Sequence, residues 1–277
     1  MWKFTIPYRW VFILAFVLGA LMLIPFIGDL YLDFSPPAGQ RAIASKLAKE
    51  ADAFTLVDPG QAPAPIRDTV ELGFHIMLDT PKYAPDYAGD QLSCTNCHFQ
   101  GGNTTGGTNG SISLVGIAAV YPDYNERSKE VVSLAERIDG CFQRSMNGKP
   151  LPLNSPEMDA MLTYLHWISK DFPIYGQVPW RGLKEIRSTH TPDPANGKTI
   201  YAAKCAICHG NEGEGATRVP PLWGSGSFND GAGMNKLETF AAFVYANMPY
   251  EDPGLTEEQA LDVAAFVTQQ PRPKFSK

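Results

Sequence analysis

Two short stretches, Cys94-Thr95-Asn96-Cys97-His98 and Cys205-Ala206-Ile207-Cys208-His209, decide the fold of this chain. Each is a Cys-x-x-Cys-His pentad, whose two thiols can form thioethers with the vinyl groups of a haem while the adjacent histidine ligates the iron. A zinc site would need a fuller set of ligands than the pentads leave available. The sequence therefore predicts two covalent c-type haems, attached through Cys94, Cys97, Cys205 and Cys208 and ligated by His98 and His209.

The length of 277 residues suits two domains with one pentad each, since domains typically hold about 100 to 150 residues. The fold class predicted is mainly α, with two class I cytochrome c-like domains in tandem behind an N-terminal transmembrane helix. The first domain is expected over residues 66–171 and the second over 192–277, joined by a linker at 172–191. Each domain repeats one order: a helix, the pentad, irregular loops and a closing helix.

Local signals place the helices that frame each pentad. In the first domain a helix is expected near residues 69–78 and a closing helix over 155–170, with Ser155 as N-cap and Pro156 at the first helical position. Apolar residues at helical spacing predict the buried face of that closing helix: Met158, Met161, Leu162, Leu165 and Ile168.

The second domain carries matching signals. A helix is expected over residues 196–204 and a closing helix over 256–269, where Thr256 and Gln259 have the spacing of a capping box. The predicted buried stripe of the closing helix consists of Leu261, Ala264, Ala265 and Phe266.

The N-terminal region, residues 1–34, contains an apolar run from Trp10 to Ile27 without a charge, close to the ~20 residues that span a bilayer. Lys3 and Arg9 precede it, which predicts that the rest of the chain lies outside the cytoplasm. A cleaved signal peptide is the alternative, but the nearest Ala-x-Ala, at 42–44, comes too late. We therefore expect an uncleaved anchor, with residues 35–65 as a stalk.

The expected compartment and the net charge limit the kinds of partner that this protein can have. Covalent haem attachment in bacteria takes place outside the cytoplasmic membrane, so the expected location is the periplasm, with the chain anchored to the cytoplasmic membrane. The net charge of -6 argues against a nucleic-acid partner, because a phosphate backbone needs a basic surface.

The sixth iron ligand in each domain is the next question. In the second domain Met248, within Asn247-Met248-Pro249, precedes the closing helix, where class I domains usually place a thioether ligand. Met234 competes with it. We expect Met248 to be the ligand.

The first domain lacks an equivalent Met-Pro and instead carries the fifth cysteine, Cys141. An unpaired cysteine is unusual in an oxidising compartment. Three interpretations compete: a buried inert thiol, a neighbour of a haem ligated by Met146, or a thiolate bound to the iron. Position alone does not separate them.

The segment Glu-Arg-Ile-Asp-Gly-Cys-Phe-Gln-Arg-Ser-Met-Asn-Gly, residues 136–148, lies between the first pentad and a second domain with Asn-Met-Pro. This arrangement resembles the TsdA-type thiosulfate dehydrogenases, dihaem cytochromes c that join two thiosulfates into tetrathionate and in some members run the reverse reaction. The likeness covers essentially everything after the stalk. It implies that Cys141 is the distal ligand of the catalytic haem. By offset from that cysteine it also implies a basic and polar pocket of Arg127, Arg137 and Ser145, with Lys149 as a further member.

The chemistry implied by the resemblance requires fixed cations. Thiosulfate and tetrathionate are dianions, and bringing two thiosulfates together costs several kcal/mol in a partly dry site. Arginine offers a planar fork of donors and keeps its charge, so Arg127 and Arg137 are the expected clamps. The competing interpretation is a solvated helix face, because acidic residues and Lys129 surround both arginines.

The resemblance further implies that Cys141 takes up a sulfane-sulfonate unit, which a second thiosulfate then attacks. Joining two thiosulfates releases two electrons, and each haem carries one. An electron-acceptor cytochrome or a membrane respiratory complex is the expected partner that collects them.

Two other function classes compete. A membrane-tethered dihaem electron shuttle, without substrate chemistry of its own, would explain the anchor and both haems but not Cys141 at a position where a shuttle would use methionine or histidine. A dihaem peroxidase needs an open or weakly held distal site, which no residue specifically indicates.

Overall fold

A computed structural model describes residues 56–104, 112–250 and 252–276 of the chain. These residues belong to one compact unit. The predicted membrane anchor and most of the predicted stalk lie outside the described residues, so the anchor stays a prediction. Across the described ranges, every helix is too short or too polar to cross a membrane.

The first module is built from five helical segments and a small hairpin within its described residues. Its helices are α1 (Arg67–Leu78), α2 (Thr80–Tyr83), α3 (Ile117–Val120), α4 (Leu134–Arg144) and α5 (Pro156–Trp167). Short 3₁₀ turns cover Pro59–Gln61, Cys94–Asn96 and Phe99–Gly102. Helix α1 packs along α5, and the pentad lies between them in sequence.

Helix α5 confirms the predicted closing helix at its N-terminus. The Ser155 hydroxyl accepts a hydrogen bond from the backbone N–H of Met158 at 3.1 Å, and Pro156 occupies the first turn. The helix ends at Trp167 instead of the predicted Lys170. Leu162 was wrongly predicted to be buried. The buried face centres on Met161, Tyr164 and Ile168, which leaves Leu162 at its edge.

The second module has the predicted order of a helix, the pentad, irregular loops and a closing helix. Its helices are α6 (Pro194–Lys204), α7 (Ala206–His209), α8 (Leu237–Asn247) and α9 (Glu257–Thr268), with a 3₁₀ turn at Gly233–Asn235. Helix α9 begins with the predicted capping box, and it packs against both α6 and α8. Phe266, predicted buried, is half-buried, because it lies at the edge of the α9 core face against the rings of Tyr201 and Trp223.

Several elements were not bounded by the sequence analysis, including α4, α8 and a small hairpin. Helix α4 begins at a capping box in which Ser133 and Glu136 exchange hydrogen bonds, and α8 is a buried apolar helix. A two-stranded antiparallel hairpin, β1 (Asp123–Asn125) and β2 (Glu130–Val132), precedes α4. The fold therefore remains mainly α, with this one small sheet in the described residues.

The segment between the modules is tied down at its middle and near its end. At its middle, the indole N–H of Trp180 donates to the backbone oxygen of Val115 at 3.0 Å. Near its end, His190 Nε2 lies 2.6 Å from a carboxylate oxygen of Asp262, which is 2% exposed on α9. The same carboxylate accepts from the side chain of Asn196 at 2.7 Å. Asp262 thus fastens both the segment and α6 to the second module.

Two glycines allow the helix pairs to cross at backbone contact. An ideal Cβ at Gly197 of α6 would lie 2.0 Å from the backbone oxygen of Asp262, and one at Gly73 of α1 would lie 2.1 Å from that of Ala160. No rotamer change relieves a clash with backbone. The absence of a side chain at these positions therefore sets the distance between the paired helices.

We expect Gly197→Ala to lower the free energy of unfolding by about 2 kcal/mol or more, because α6 and α9 must separate. Urea unfolding followed by far-UV circular dichroism of the holoprotein measures it. Gly233→Ala is the matched control, since a Cβ there meets nothing within 4 Å. Equal stability of both variants would show that the helix crossing tolerates a methyl group.

Candidate haem and anion site

Both pentad histidines are oriented by the backbone. His98 Nδ1 lies 2.9 Å from the backbone oxygen of Ile112, and His209 Nδ1 lies 3.0 Å from that of Pro220. Burial lowers the pKa of both imidazoles, so they are held neutral with the Nδ1 proton given to the carbonyl. A neutral imidazole fixed in this way presents Nε2 as a metal ligand. The geometry fits His98 and His209 as iron ligands.

The pentad thiols fit thioether attachment. Burial raises the pKa of Cys94 and of Cys97 to about 12, so both are neutral thiols at neutral pH. In the second pentad, burial raises the pKa of Cys205 to about 11. All four attachment cysteines, including the exposed Cys208, are free of disulfides. Residues of both pentads thus suit covalent haem.

Helix α4 presents the predicted catalytic residues on one face. Leu134, Ile138 and Phe142, four residues apart, are buried against the first module. The adjacent face, at spacings of four, three and one, carries Arg137, Cys141, Arg144 and Ser145. Helical periodicity therefore brings a cysteine and two arginines to the same side.

Arg137 contacts Cys141 directly. Its guanidinium Nη1 lies 2.6 Å from the Cys141 Sγ, one helical turn away. The charge on that sulfur is the main factor that raises the pKa of Arg137, with a hydrogen bond to Tyr121 adding to it. The contact pairs a permanent cation with a sulfur that can carry negative charge. It also leaves Arg137 exposed in an open cleft.

Tyr121 is a site residue that the sequence analysis missed. It hydrogen-bonds to Arg137 and lines, with that arginine, a cavity of about 200 Å³ beside the hairpin. Arg181 and Asp123, which form an ion pair, line the same cavity. The tyrosine directly follows α3, and no local signal in the sequence pairs it with a helix that starts after the hairpin.

Arg127 reaches the same region from the hairpin turn. Its backbone N–H donates to Asn125 Oδ1 at 2.9 Å, which fixes the turn. Its guanidinium donates to the backbone oxygen of Gly231 in the second module at 2.6 Å. Burial, followed by the charges of Arg144 and Arg137, lowers its pKa. The structure thus brings the two predicted clamps into electrostatic reach of each other.

The two remaining predicted pocket residues, Ser145 and Lys149, differ in their position relative to Cys141. Ser145 ends α4, with its backbone N–H donating to the oxygen of Cys141 at 2.8 Å, and its side chain is half-buried on the face of Cys141. Lys149 is exposed, and its backbone N–H donates to the backbone oxygen of Tyr87 at 3.0 Å. In the described part of the chain no side-chain contact joins Lys149 to the arginines, so its role stays a prediction.

Nearby carboxylates are engaged elsewhere. Glu126 pairs with Lys129 at 2.6 Å, Glu136 caps α4, and Asp139 accepts from the Leu151 N–H at 2.8 Å. Among the residues that the structure describes, Arg127, Arg137 and Arg144 form no salt bridge. A cluster of uncompensated arginines is a site for anions.

The competing ligands have distinct places. Met146 is 3% exposed, with its Sδ 4.0 Å from the Cys94 Sγ, and it belongs to the core. Met248 caps the C-terminus of α8, and Met234 lies in the preceding 3₁₀ turn. Phe99, beside His98, forms edge contacts with Tyr250 at 5.1 Å and with Phe243 at 6.1 Å. Tyr250, two residues after Met248, thus takes part in a contact between the modules.

We expect Met248→Ala to remove the thioether-to-iron absorption band of the second haem at the red end of the visible spectrum. Met234→Ala is the matched control and should retain the band, because we assign the iron ligand to Met248. Absorption spectra of both oxidised variants test the assignment. Loss of the band in Met234→Ala alone would reassign the ligand.

Comparison with known proteins identifies the two domains that carry the pentads. The SoxA/TsdA cytochrome c domain family matches residues 85–174, and the cytochrome c family matches residues 194–271. Two pentads on two such domains define a tandem dihaem cytochrome c, which carries two c-type haems. The two haems place this chain among redox proteins.

Three relatives show to which family of dihaem cytochromes c this chain belongs. Thiosulfate dehydrogenases from Thiomonas intermedia and Allochromatium vinosum are 44% and 35% identical over 74% and 83% of this chain, and over 66% and 89% of their own lengths. The one from Stutzerimonas stutzeri is 37% identical over 85% of this chain and 78% of its own. The chain therefore belongs to the thiosulfate dehydrogenase family, whose members are oxidoreductases.

A solved structure supports the fold. Thiosulfate dehydrogenase TsdBA from Marichromatium purpuratum, in its as-isolated form, superposes with a TM-score of 0.75 at 33% identity and covers 82% of this chain. This chain spans only 51% of that longer chain, and 66% of the Thiomonas relative.

Proposed function

We propose that this chain oxidises two thiosulfates to tetrathionate, a reaction that can also run in reverse, and passes two electrons to a respiratory acceptor. The observation that carries the proposal is the 2.6 Å contact between Arg137 and the Cys141 sulfur. It places a permanent cation beside a nucleophilic sulfur on a helix face that also bears Arg144 and Ser145. We infer thiosulfate as the substrate because the relatives are named thiosulfate dehydrogenase.

The arginines offset the repulsion between the reactants. Two unit charges about 4 Å apart repel by about 4 kcal/mol at an effective dielectric constant near 20, and two dianions repel more strongly still. Charge-assisted hydrogen bonds from guanidinium groups each return about 1.5 to 3 kcal/mol. Arg137 beside Cys141 and Arg127 across the cleft supply two such groups without a neutralising carboxylate in the described residues.

Cys141 is the proposed covalent reactant. Its thiolate forms a sulfur–sulfur bond with the sulfane sulfur of the first thiosulfate, giving Cys–S–S–SO₃⁻ and releasing two electrons. The sulfane sulfur of the second thiosulfate then attacks this adduct, so that tetrathionate leaves and the Cys141 thiolate returns. A haem held by the pentad of each module would supply a one-electron acceptor, so the two modules together would have room for both electrons.

Arg137 acts at both steps. In the resting site its guanidinium holds the Cys141 sulfur as a charge partner at 2.6 Å. Once the sulfur is bonded to the sulfane sulfur, that charge is lost and the same donors are free for the sulfonate oxygens. Tyr121, bonded to Arg137, keeps the guanidinium oriented while its partner changes.

Product stoichiometry tests the proposal. The purified holoprotein, mixed with thiosulfate and an artificial one-electron acceptor, should form one tetrathionate for every two thiosulfates and two electrons. Sulfite or sulfate as the product, or no turnover at all, would contradict the assignment.

The cellular setting is part of the proposal. We place the chain in the periplasm, anchored to the cytoplasmic membrane through residues 10–27, because this apolar run follows basic residues. Its acceptor is a cytochrome or a membrane respiratory complex. Sedimentation of the mature protein with membranes through high-salt washing supports the anchor, and a soluble product beginning near Asp29 would refute it.

A further inference from the structure

Arg144 belongs to the reactive face of α4 but has no role in the reaction as described above. It follows Cys141 by three residues, and its guanidinium folds back along the helix, where Nη1 lies 3.1 Å from the Cβ position of Gly140. Because Gly140 has no side chain, the guanidinium rests against the backbone of the residue that precedes Cys141.

The second module holds this end of α4. Asn229, which is 2% exposed, donates its backbone N–H to the Arg144 oxygen at 3.2 Å and its side-chain N–H to the Gln143 oxygen at 2.8 Å. From the C-terminal segment, the ring of Phe275 lies 4.6 Å from the Arg144 guanidinium carbon. Arg144 is therefore positioned by residues more than eighty positions away in sequence.

The same two segments also hold Arg127. Its guanidinium donates to the Gly231 oxygen at 2.6 Å, and an added Cβ at Gly231 would lie 2.8 Å from Phe275. The Phe275 ring therefore packs on the residue that binds Arg127 and also faces Arg144. Arg144 faces this ring and Arg127 binds the glycine on which the ring packs, so both cations contact the second module through Phe275 or its neighbour Gly231.

Charge compensation at this boundary is incomplete. Asp230 is the adjacent acid, and its carboxylate accepts from the Phe275 N–H at 2.8 Å and pairs with Lys274 at 3.0 Å. Arg127 and Arg144 repel each other, and neither forms a salt bridge within the described ranges. Like charges held together without a counter-ion favour an anionic ligand.

We propose that Arg144 and Arg127 form a second anion subsite at the module boundary, which binds the sulfonate of the second thiosulfate, with Phe275 as its positioning residue. The inference rests on the proposed function, which requires two dianions in one turnover. Arg137 serves the sulfonate bonded through Cys141, so the attacking thiosulfate needs cations of its own. In tetrathionate the two sulfonates lie at opposite ends, which matches two separate arginine groups.

The first test is Arg144→Ala, assayed for thiosulfate oxidation at fixed ionic strength because salt screens such contacts. We expect the KM for thiosulfate to rise about ten- to hundredfold, the loss of one charge-assisted contact, while the rate at saturating substrate falls less than threefold. Arg144→Lys should recover part of the affinity, since it restores the charge without the planar fork.

A matched control removes the same charge elsewhere. Arg187→Ala deletes an exposed arginine of the segment between the modules and should leave the KM at its parental value. Phe275→Leu keeps every charge but removes the ring face, and we expect a two- to fivefold rise in KM. Haem content and visible spectra should match the parent in all variants, because none of these residues is a proposed ligand.

Equilibrium binding provides a readout besides activity. Calorimetric titration of the oxidised holoprotein with tetrathionate should show at least tenfold weaker binding to Arg144→Ala than to the parent or to Arg187→Ala. If the parent turns over thiosulfate while Arg144→Ala retains the parental KM and tetrathionate affinity, the subsite is wrong and the proposed function stands. If the parent neither turns over thiosulfate nor binds tetrathionate, both fall.

Discussion

Replacing Cys141 with methionine is expected to lower thiosulfate oxidation by about three orders of magnitude or more, because no other residue can form the sulfur–sulfur adduct. Cys141 is the fifth cysteine, outside both pentads, and the four others are expected to be consumed as thioethers. The substitution should keep both haems attached, because position 141 lies outside both pentads. Steady-state rates with an artificial acceptor measure the loss.

The same variant should change one haem potential and spare the other. If the thiolate ligates the first iron, a neutral thioether in its place raises the potential of that haem, while the second haem keeps its value. Redox titration followed in the visible region resolves the two. Activity above a tenth of the parental rate would contradict the covalent role, and an unchanged first potential would contradict the ligation.

Arg137→Ala is expected to lower kcat/KM for thiosulfate by about a hundredfold. The substitution removes the cation that contacts the Cys141 sulfur at 2.6 Å and that we assign to the first sulfonate. Losing a charge-assisted contact of about 1.5 to 3 kcal/mol accounts for a factor of ten to a hundred or more. Tyr121 would also lose its partner, so the local structure should be checked by the haem spectra.

The control for Arg137 lies on the same surface. Lys129 is already paired with Glu126 at 2.6 Å, and Lys129→Gln removes one positive charge without touching Cys141. Its kcat/KM should remain within about twofold of the parent, because exposed ion pairs contribute little. An equal loss in both variants would mean that overall charge, and not the clamp, governs activity.

Local sequence signals predicted a large part of the fold. The two pentads define both modules by chemistry, and Ser155 and Thr256 mark the helices that close them. The capping box at Ser133 and Glu136 was equally readable, but the mixed charges around it obscured the start of α4. Residues at the edge of a buried face, such as Leu162, follow the helical period without being fully covered.

Long-range contacts were beyond sequence reasoning. The family resemblance linked Arg137 to Cys141 at an offset of four residues, but no sequence signal showed that Arg127 meets Gly231 across 104 positions. Arg144 faces Phe275 over a comparable distance in sequence. No local propensity encodes such pairs, because they depend on how the modules pack. The resemblance therefore predicted Arg127 and Arg137, whereas Arg144 and the contacts with the second module were missed.

Thiosulfate-dependent reduction of the haems in the unaltered holoprotein tests the central claim most directly. The account predicts that excess thiosulfate reduces the oxidised haems within the purified chain and that tetrathionate appears in proportion to the electrons taken up. It also predicts that tetrathionate oxidises the reduced protein. If both haems stay oxidised in excess thiosulfate and stay reduced in tetrathionate, the chain is an electron shuttle and the enzyme assignment is wrong.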